Sequence, residues 1–403
     1  MDTVQQSGVS APVSPYQVDP SKGGHDGSVS RQWMSRPHDQ RFLSLDELFA
    51  YKKRFWEGSF QARKLPKDIE FLAPDIEVST HDLSVGFTID TPTVQKTMEI
   101  APTHHAFGQL CSLSGVPAYF MRDLPSQLVA DTVNWCIRRN REAEEIKIYG
   151  DTVQMHAATG PDYGRIPDYE VVAAVQEVAG DGRGSKRWKV PGVLDWRTNL
   201  YNPEAPVTKD STTLYASDRD LFVFLVDDRN PIEVGKLKDG SPDLVFRGFY
   251  VQNSEMGART LKLAVFYLRG VCMNRNLWGV EGFEDISIRH TRLAPSRWLQ
   301  QAQPALRAYA NGSTTKLLAG VQAAKEAKLA ADDDEAMDFL KKRKFNPTRA
   351  RAILDRGLKE EGEPPRTAWD FAQAITADAR DLPNTDNRLA QELVAKTILD
   401  AVA

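Results

Sequence analysis

From Trp188 to Leu268 the chain carries five segments rich in β-branched and aromatic residues, at 188–196, 213–216, 221–226, 246–253 and 260–268. Asp218-Arg219-Asp220 and the stretch from Asp227 to Pro231 supply turn residues between them. Short strands joined by turns must place their backbone N–H and C=O groups on neighbouring strands, so the run predicts an antiparallel meander. One segment is ambiguous, because Leu261, Ala264, Val265 and Leu268 also fit a helical spacing.

Helical signals flank this meander. Ser44, with Glu47 three residues on, reads as a capping box opening a helix to about Trp56. A helix start is expected over 103–110, where Phe107, Leu110 and Leu113 recur at helical spacing. A second helix is expected over 126–141, with Leu128, Val129, Val133, Trp135 and Ile137 on one broad face. Ile146 and Ile148, then Val153 and Met155, alternate around Gly150-Asp151 and predict a hairpin. Ile76 to Val78 and Val85 to Ile89 read as short strands. Pro167-Asp168 opens a helix that Gly180 ends. Beyond Pro295 helical spacing dominates, and Asn346 before Pro347 is a cap followed by proline at the first helical position.

The expected architecture is therefore α+β: an antiparallel sheet core with packed helices and a helical C-terminal region. Residues 1–41, rich in Ser, Gly, Pro and Gln, read as a disordered arm, residues 42–295 as the α+β core and residues 296–403 as the helical region. Arg31, Arg36 and Arg41 with Trp33 would suit a docking arm. The chain has 403 residues, 41% hydrophobic and 26% charged, enough apolar material for a substantial core. Its formal charge of -4 gives no global positive field, so polyanion binding would need a local patch. Cys111, Cys136 and Cys272 form no CxxC pair and fit a reducing cytoplasm. No apolar run or leader-like h-region is evident, so a cytoplasmic protein without membrane contact is expected.

Chemical motifs are sparse. No GxxxxGK[ST] or strand-to-helix GxGxxG exists, and the histidines make no HExxH pattern, so neither a metal nor another cofactor is expected. His104-His105 point different ways on a helix and make a poor metal pair. Asn253-Ser254-Glu255 before Gly257 reads as a turn, or as a polar cluster in which Glu255 acts with Asn253, Asn274 or His290. Cys272 reads as a small buried thiol. The glycine-rich stretch 180–184 runs into a basic segment. It is either a plain loop or a finger with Arg183, Lys186 and Arg187 on phosphates and Trp188 stacked on a base. Arg197 and Arg247 lie on the same expected sheet and would extend such a platform. Other cationic clusters are Arg138-Arg139 with Arg141, and Lys341 to Lys344 with Arg349, Arg351 and Arg356 around a helix-turn-helix-like pair.

The string Asn253-Ser254-Glu255-Met256-Gly257-Ala258, followed by Phe266, Val271-Cys272, Asn274 and Leu277-Trp278-Gly279, resembles the phage/plasmid-like family known as domain of unknown function family 932. Tyr215 to Val226, Ile288-Arg289-His290-Thr291, Tyr163 to Glu170 and Thr367 to Asp370 extend the resemblance over about residues 100–380. It implies a bacteriophage or plasmid origin and brings no established activity. The order of elements is also similar to that of phage single-strand annealing proteins, which need no nucleotide hydrolysis. Three functions follow as expectations. The first is an accessory protein binding nucleic acid, single-stranded DNA above all, in recombination or replication, possible as a homo-oligomer. The second is an interaction factor that binds a host or phage protein and counters a host defence. The third is an enzyme built on Glu255.

Overall fold

Ser44 caps the first helix as its spacing from Glu47 requires. Its hydroxyl accepts from the Glu47 N–H at 3.1 Å, and Glu47 Oε2 accepts from the Leu43 N–H at 2.8 Å. The helix runs Leu45–Gly58. The computed structural model describes residues 25–26, 36–74, 83–90, 95–139, 145–195, 200–236, 240, 242–268, 270–271, 277–278, 281–312 and 315–379, with 391, 394–395, 397–399 and 401–402 near the end.

The fold is α+β with two six-stranded sheets. The first is ordered Phe60–Lys64, Ile146–Gly150, Gln154–Thr159, Gln95–Pro102, Ser84–Asp90, Glu70–Leu72. It contains the expected hairpin and one parallel pairing, Ala101 with Gln154 and Pro102 with Met155. A parallel pair needs a crossover, and helices His104–Ser114 and Ser126–Arg139 supply it. Thr103 caps the former, and Gly115 ends it at φ 74. The two helices bury Phe107, Leu110, Val129, Val133 and Ile137 against Val85, Ile100 and Ile148 of the sheet.

The second sheet is the expected meander, ordered Glu281–Ile288, Leu261–Leu268, Pro242–Asn253, Leu221–Lys236, Leu214–Ala216, Arg41–Phe42. Leu261–Leu268 is a strand, which resolves its ambiguous period. One face presents Leu221, Val223, Leu225 and Val251 to helices Leu45–Gly58, Asp168–Ala179 and Gln303–Asn311. Phe222, Phe224, Tyr250 and Phe266 stack along the other face, and all are buried. Burial on both faces explains the continuous apolar run Leu221 to Val226, where a half-exposed strand would alternate.

Three expectations need correction. Asp227 to Pro231 is not a turn. Leu221–Lys236 is one strand with a register shift between Asp227 and Ile232, because Asp227 and Asp228 are drawn inward by cations. Residues 36–41 are not part of a loose arm, since Arg41–Phe42 pairs with Leu214 and Tyr215 and Arg36 is buried. Finally, helix Gln303–Asn311 joins the central core through Leu306 and Ala310. The helical region proper therefore begins at Thr315–Glu326. It buries Leu340, Ile353, Phe371 and Ile375 with Ile232 and Val245 from the distal ends of two long strands. The expected strand at 76–78 lies outside the described residues.

Candidate functional site

The polar string from Asn253 to Glu255 ends a central strand and enters a buried ionic junction between the two sheets. Glu255 Oε2 accepts from Arg165 Nε at 2.9 Å, and Oε1 accepts from the Asp168 N–H at 2.6 Å. Lys52 Nζ meets Asp168 Oδ2 at 2.7 Å and donates to the Ser217 carbonyl at 2.8 Å. Asn253 Nδ2 donates to Asp168 Oδ1 and to the Ile166 carbonyl. Two cations thus meet two carboxylates, and every one of these hydrogen bonds ties distant segments together. Lys52, Asp168 and Glu255 are at most 1% exposed. Burial, then the Asp168 carboxylate, pushes the Glu255 carboxyl up against the opposing pull of Arg165 and Lys52. Burial would lower Lys52, yet Asp168 and Glu255 outweigh it and hold the ammonium above its ordinary range.

The turn after Glu255 closes the junction onto the first sheet. The Met256 carbonyl accepts from Gln109 Nε2 at 2.7 Å and lies 3.0 Å from His105 Nε2, while Gln109 Oε1 accepts from the Ala158 N–H. The Met256 side chain packs with Tyr149, Ala157, Phe55 and Tyr163. His290 donates through Nδ1 to the Gly164 carbonyl at 2.9 Å and stacks on Tyr163. Its burial depresses the imidazole pKa. The structure therefore brings Glu255, Asn253 and His290 into one region, as a buried brace. Glu255 is 1% exposed, and its carboxylate is taken up by Arg165 and the Asp168 N–H in this conformation. Asn274 and Cys272 lie outside the described residues.

The expected nucleic-acid platform on the sheet is overturned by burial. Trp188 is 1% exposed, edge-on to Phe249, and its indole N–H points at the Ala310 carbonyl. No base can stack there. Arg247 is 2% exposed between Trp188 and Tyr309 and donates to the Tyr309 and Gly312 carbonyls. It satisfies the orphan carbonyls at the negative end of helix Gln303–Asn311. Arg187 pairs with buried Asp227, and Lys189 pairs with Asp228 at 3.0 Å. Lys186 is exposed but donates to the Glu177 carbonyl, and Arg183 is exposed. The finger itself is a folded loop: Asp181 Oδ1 accepts from the Arg183 N–H and from Ser185, and Gly180, Gly182 and Gly184 all take positive φ. Arg197 lies outside the described residues.

Exposed aromatics occur elsewhere. Among the described residues they are Tyr119, Phe120 and Trp135, all on helices covering the first sheet. Trp135 is 62% exposed, and the Arg139 guanidinium lies 4.3 Å from its ring centroid. Arg138 is exposed, its nearest carboxylate being Glu70 at 3.7 Å. The expected broad apolar face of this helix is really two faces. Val129, Val133 and Ile137, four apart, point to the core, whereas Leu128 and Trp135, seven apart, share a direction about 100° away. That offset was the signal in the sequence that marks Trp135 as outward.

Among the described residues no cluster of three or more His, Cys, Asp or Glu could hold a metal ion, and no helix is long and apolar enough to cross a membrane. Comparison of the chain with family models, with curated proteins and with solved structures finds no match to any of them.

Proposed function

We propose that this chain is a nucleic-acid-binding accessory protein of a phage or plasmid, acting on single-stranded DNA in recombination or replication in the bacterial cytoplasm. The mobile-element setting rests on the resemblance of the central string at Asn253 to Gly279. The binding reading rests on one observation: Trp135 stands 62% exposed beside the arginines Arg138 and Arg139. Single strands bind without sequence preference where bases can stack on an aromatic ring and cations follow the backbone. The Trp135 face combines both needs, and the buried Trp188 face supplies neither.

The test is anisotropy of a labelled single-stranded oligonucleotide at low and moderate salt. Trp135→Ala should weaken binding by roughly tenfold, the order expected for one stacked base. Arg139→Gln should lower the salt slope by about one. Unchanged affinity in both variants defeats the proposal. A protein partner is the competing reading, and Tyr119 at 77% and Phe120 at 50% exposure favour it, because among the described residues no cation is seen stacked on either ring. A protein that purifies free of nucleic acid and ignores oligonucleotides at low salt would leave that reading standing.

A further inference from the structure

Helix Asp333–Lys342 ends in a Schellman turn, with the Lys344 N–H bonded to the Lys341 carbonyl at 2.9 Å and the Phe345 N–H to the Leu340 carbonyl at 3.3 Å. Lys344 sits at φ 70, the one non-glycine positive φ among the described residues. Asn346 then caps helix Pro347–Glu361 by accepting from the Arg349 N–H at 2.8 Å. Leu340 from the first helix, Ile353 from the second and Phe371 from helix Ala368–Ala379 share one buried core. The result is a helix-turn-helix pair braced by a third helix, with a turn as short as such motifs use.

The charges on this turn exceed what folding requires. Lys341 and Lys342 lie in a last turn, where the helix dipole favours cations. Lys344 occupies the left-handed position that glycine takes at least cost, and it is exposed. The first turn of the following helix, where the dipole favours acids, contains none, and Arg351 is exposed just beyond it. Lys341 meets Asp338 and Arg349 meets Asp378, but Lys342, Lys344 and Arg351 make no ion pair with a described residue. Thr348, Arg351, Ala352 and Asp355 are all exposed, at spacings of three and four, so the second helix keeps one open stripe from its N-terminus. Asp355 is the acid on that stripe. It would be repelled by a phosphate and tolerated only where it faces base edges, as an acceptor for cytosine N4.

We propose that this pair is a duplex-DNA docking site. Lys342, Lys344 and Arg351 sit on backbone phosphates, and the open stripe of Pro347–Glu361 enters the major groove. The chain would then hold a duplex at its C-terminal helices and a single strand at the Trp135 face, as a protein working at a junction between the two requires. The inference extends the nucleic-acid reading above but uses a separate surface.

The decisive variant is Lys344→Gly in the full chain, because its two effects have opposite signs. Glycine relieves the backbone, so thermal stability should rise. Loss of a phosphate contact should weaken binding to a labelled duplex several-fold and lower the salt slope by about one. Arg351→Gln should repeat the binding loss, and Trp135→Ala should leave duplex affinity unchanged. A stabilised Lys344→Gly protein with wild-type duplex affinity and slope overturns the proposal, as does a wild-type chain that ignores duplexes at low salt. If the duplex site responds to Lys344→Gly while single-strand binding ignores Trp135→Ala, the Trp135 reading alone has failed.

Discussion

Arg36 and Asp220 meet through two parallel hydrogen bonds, each 2.7 Å long, although 184 positions separate them in the chain. The same carboxylate accepts from Ser217 Oγ at 2.7 Å and from Arg259 Nε at 3.0 Å. Two distant segments, those of Arg36 and Arg259, thereby converge on the turn between Leu214–Ala216 and Leu221–Lys236. A bidentate guanidinium on a buried carboxylate is among the stronger polar contacts a protein can make.

Asp220→Asn should therefore destabilise the fold in a pH-dependent way. Burial raises the Asp220 pKa, but Arg36 overcomes this and brings it from 3.8 down to about 2. A depressed carboxylate stabilises the folded state fully above its unfolded value and loses that contribution as pH falls through its folded value. The gap between wild type and variant in urea unfolding should be about 2 kcal/mol at neutral pH, from the linkage relation, and should shrink between pH 4 and pH 2. A gap independent of pH would show that Asp220 acts by packing alone.

Lys52→Met should cost about 3–5 kcal/mol at neutral pH, since it leaves the Asp168 carboxylate buried without its cation. The sign of the pH effect is opposite to that of Asp220. The Lys52 pKa is raised above the ordinary lysine value of 10.5, so its contribution is complete below that value and is lost as pH climbs through the higher folded one. Wild type should keep its advantage across neutral pH and surrender it only in strong alkali. Chemical denaturation of both proteins over the alkaline range measures this directly.

Much of the fold was legible because local chemistry and tertiary packing agree. Ser44, Thr103 and Asn346 cap the helices that their spacing predicts, and Gly180 follows the last residue of Asp168–Ala179. In the first sheet the strand at 84–90 and the 146–159 hairpin were legible, whereas Phe60–Lys64, Glu70–Leu72 and Gln95–Pro102 were missed. Its strand Gln95–Pro102 turns Met98 and Ile100 inward and Thr97 and Glu99 outward, while Lys96, on the same face as Met98, is exposed and interrupts the apolar row; the composition is polar, with low strand propensity. The candidate site failed for a different reason. Arginine beside tryptophan reads alike on a surface and in a core, and only the position of helix Gln303–Asn311 over Trp188 and Arg247 separates the two.

Gly164 marks where the polar loop meets the end of strand Glu281–Ile288. Its N–H donates to the His290 carbonyl at 3.0 Å, and its own carbonyl accepts from His290 Nδ1. A Cβ at this position would lie 2.1 Å from the Thr291 carbonyl oxygen, which is backbone and cannot swing aside. Gly164→Ala should therefore force the loop off the strand at a cost of about 1–3 kcal/mol, typical of overpacking. Thermal unfolding, with amide exchange at Gly164 and its neighbours, should report both the loss and its location. A neutral substitution would mean that the two backbones separate freely.

Two tryptophans give the sharpest contrast between core and surface. Trp188 fills the space between Phe249, Tyr309 and Arg247, so Trp188→Ala opens a cavity and strips the guanidinium of an aromatic face. Its cost should be about 3–5 kcal/mol, the range for large aromatic truncations in cores. Trp135 leaves 62% of its surface in water, so Trp135→Ala should change stability by no more than about 0.5 kcal/mol. Equilibrium unfolding should therefore rank the two variants far apart. Oligonucleotide affinity, measured where both remain folded, should rank them in the reverse order, with Trp135→Ala impaired and Trp188→Ala near wild type. Affinity lost in proportion to stability in both would place the binding surface on the central sheet after all.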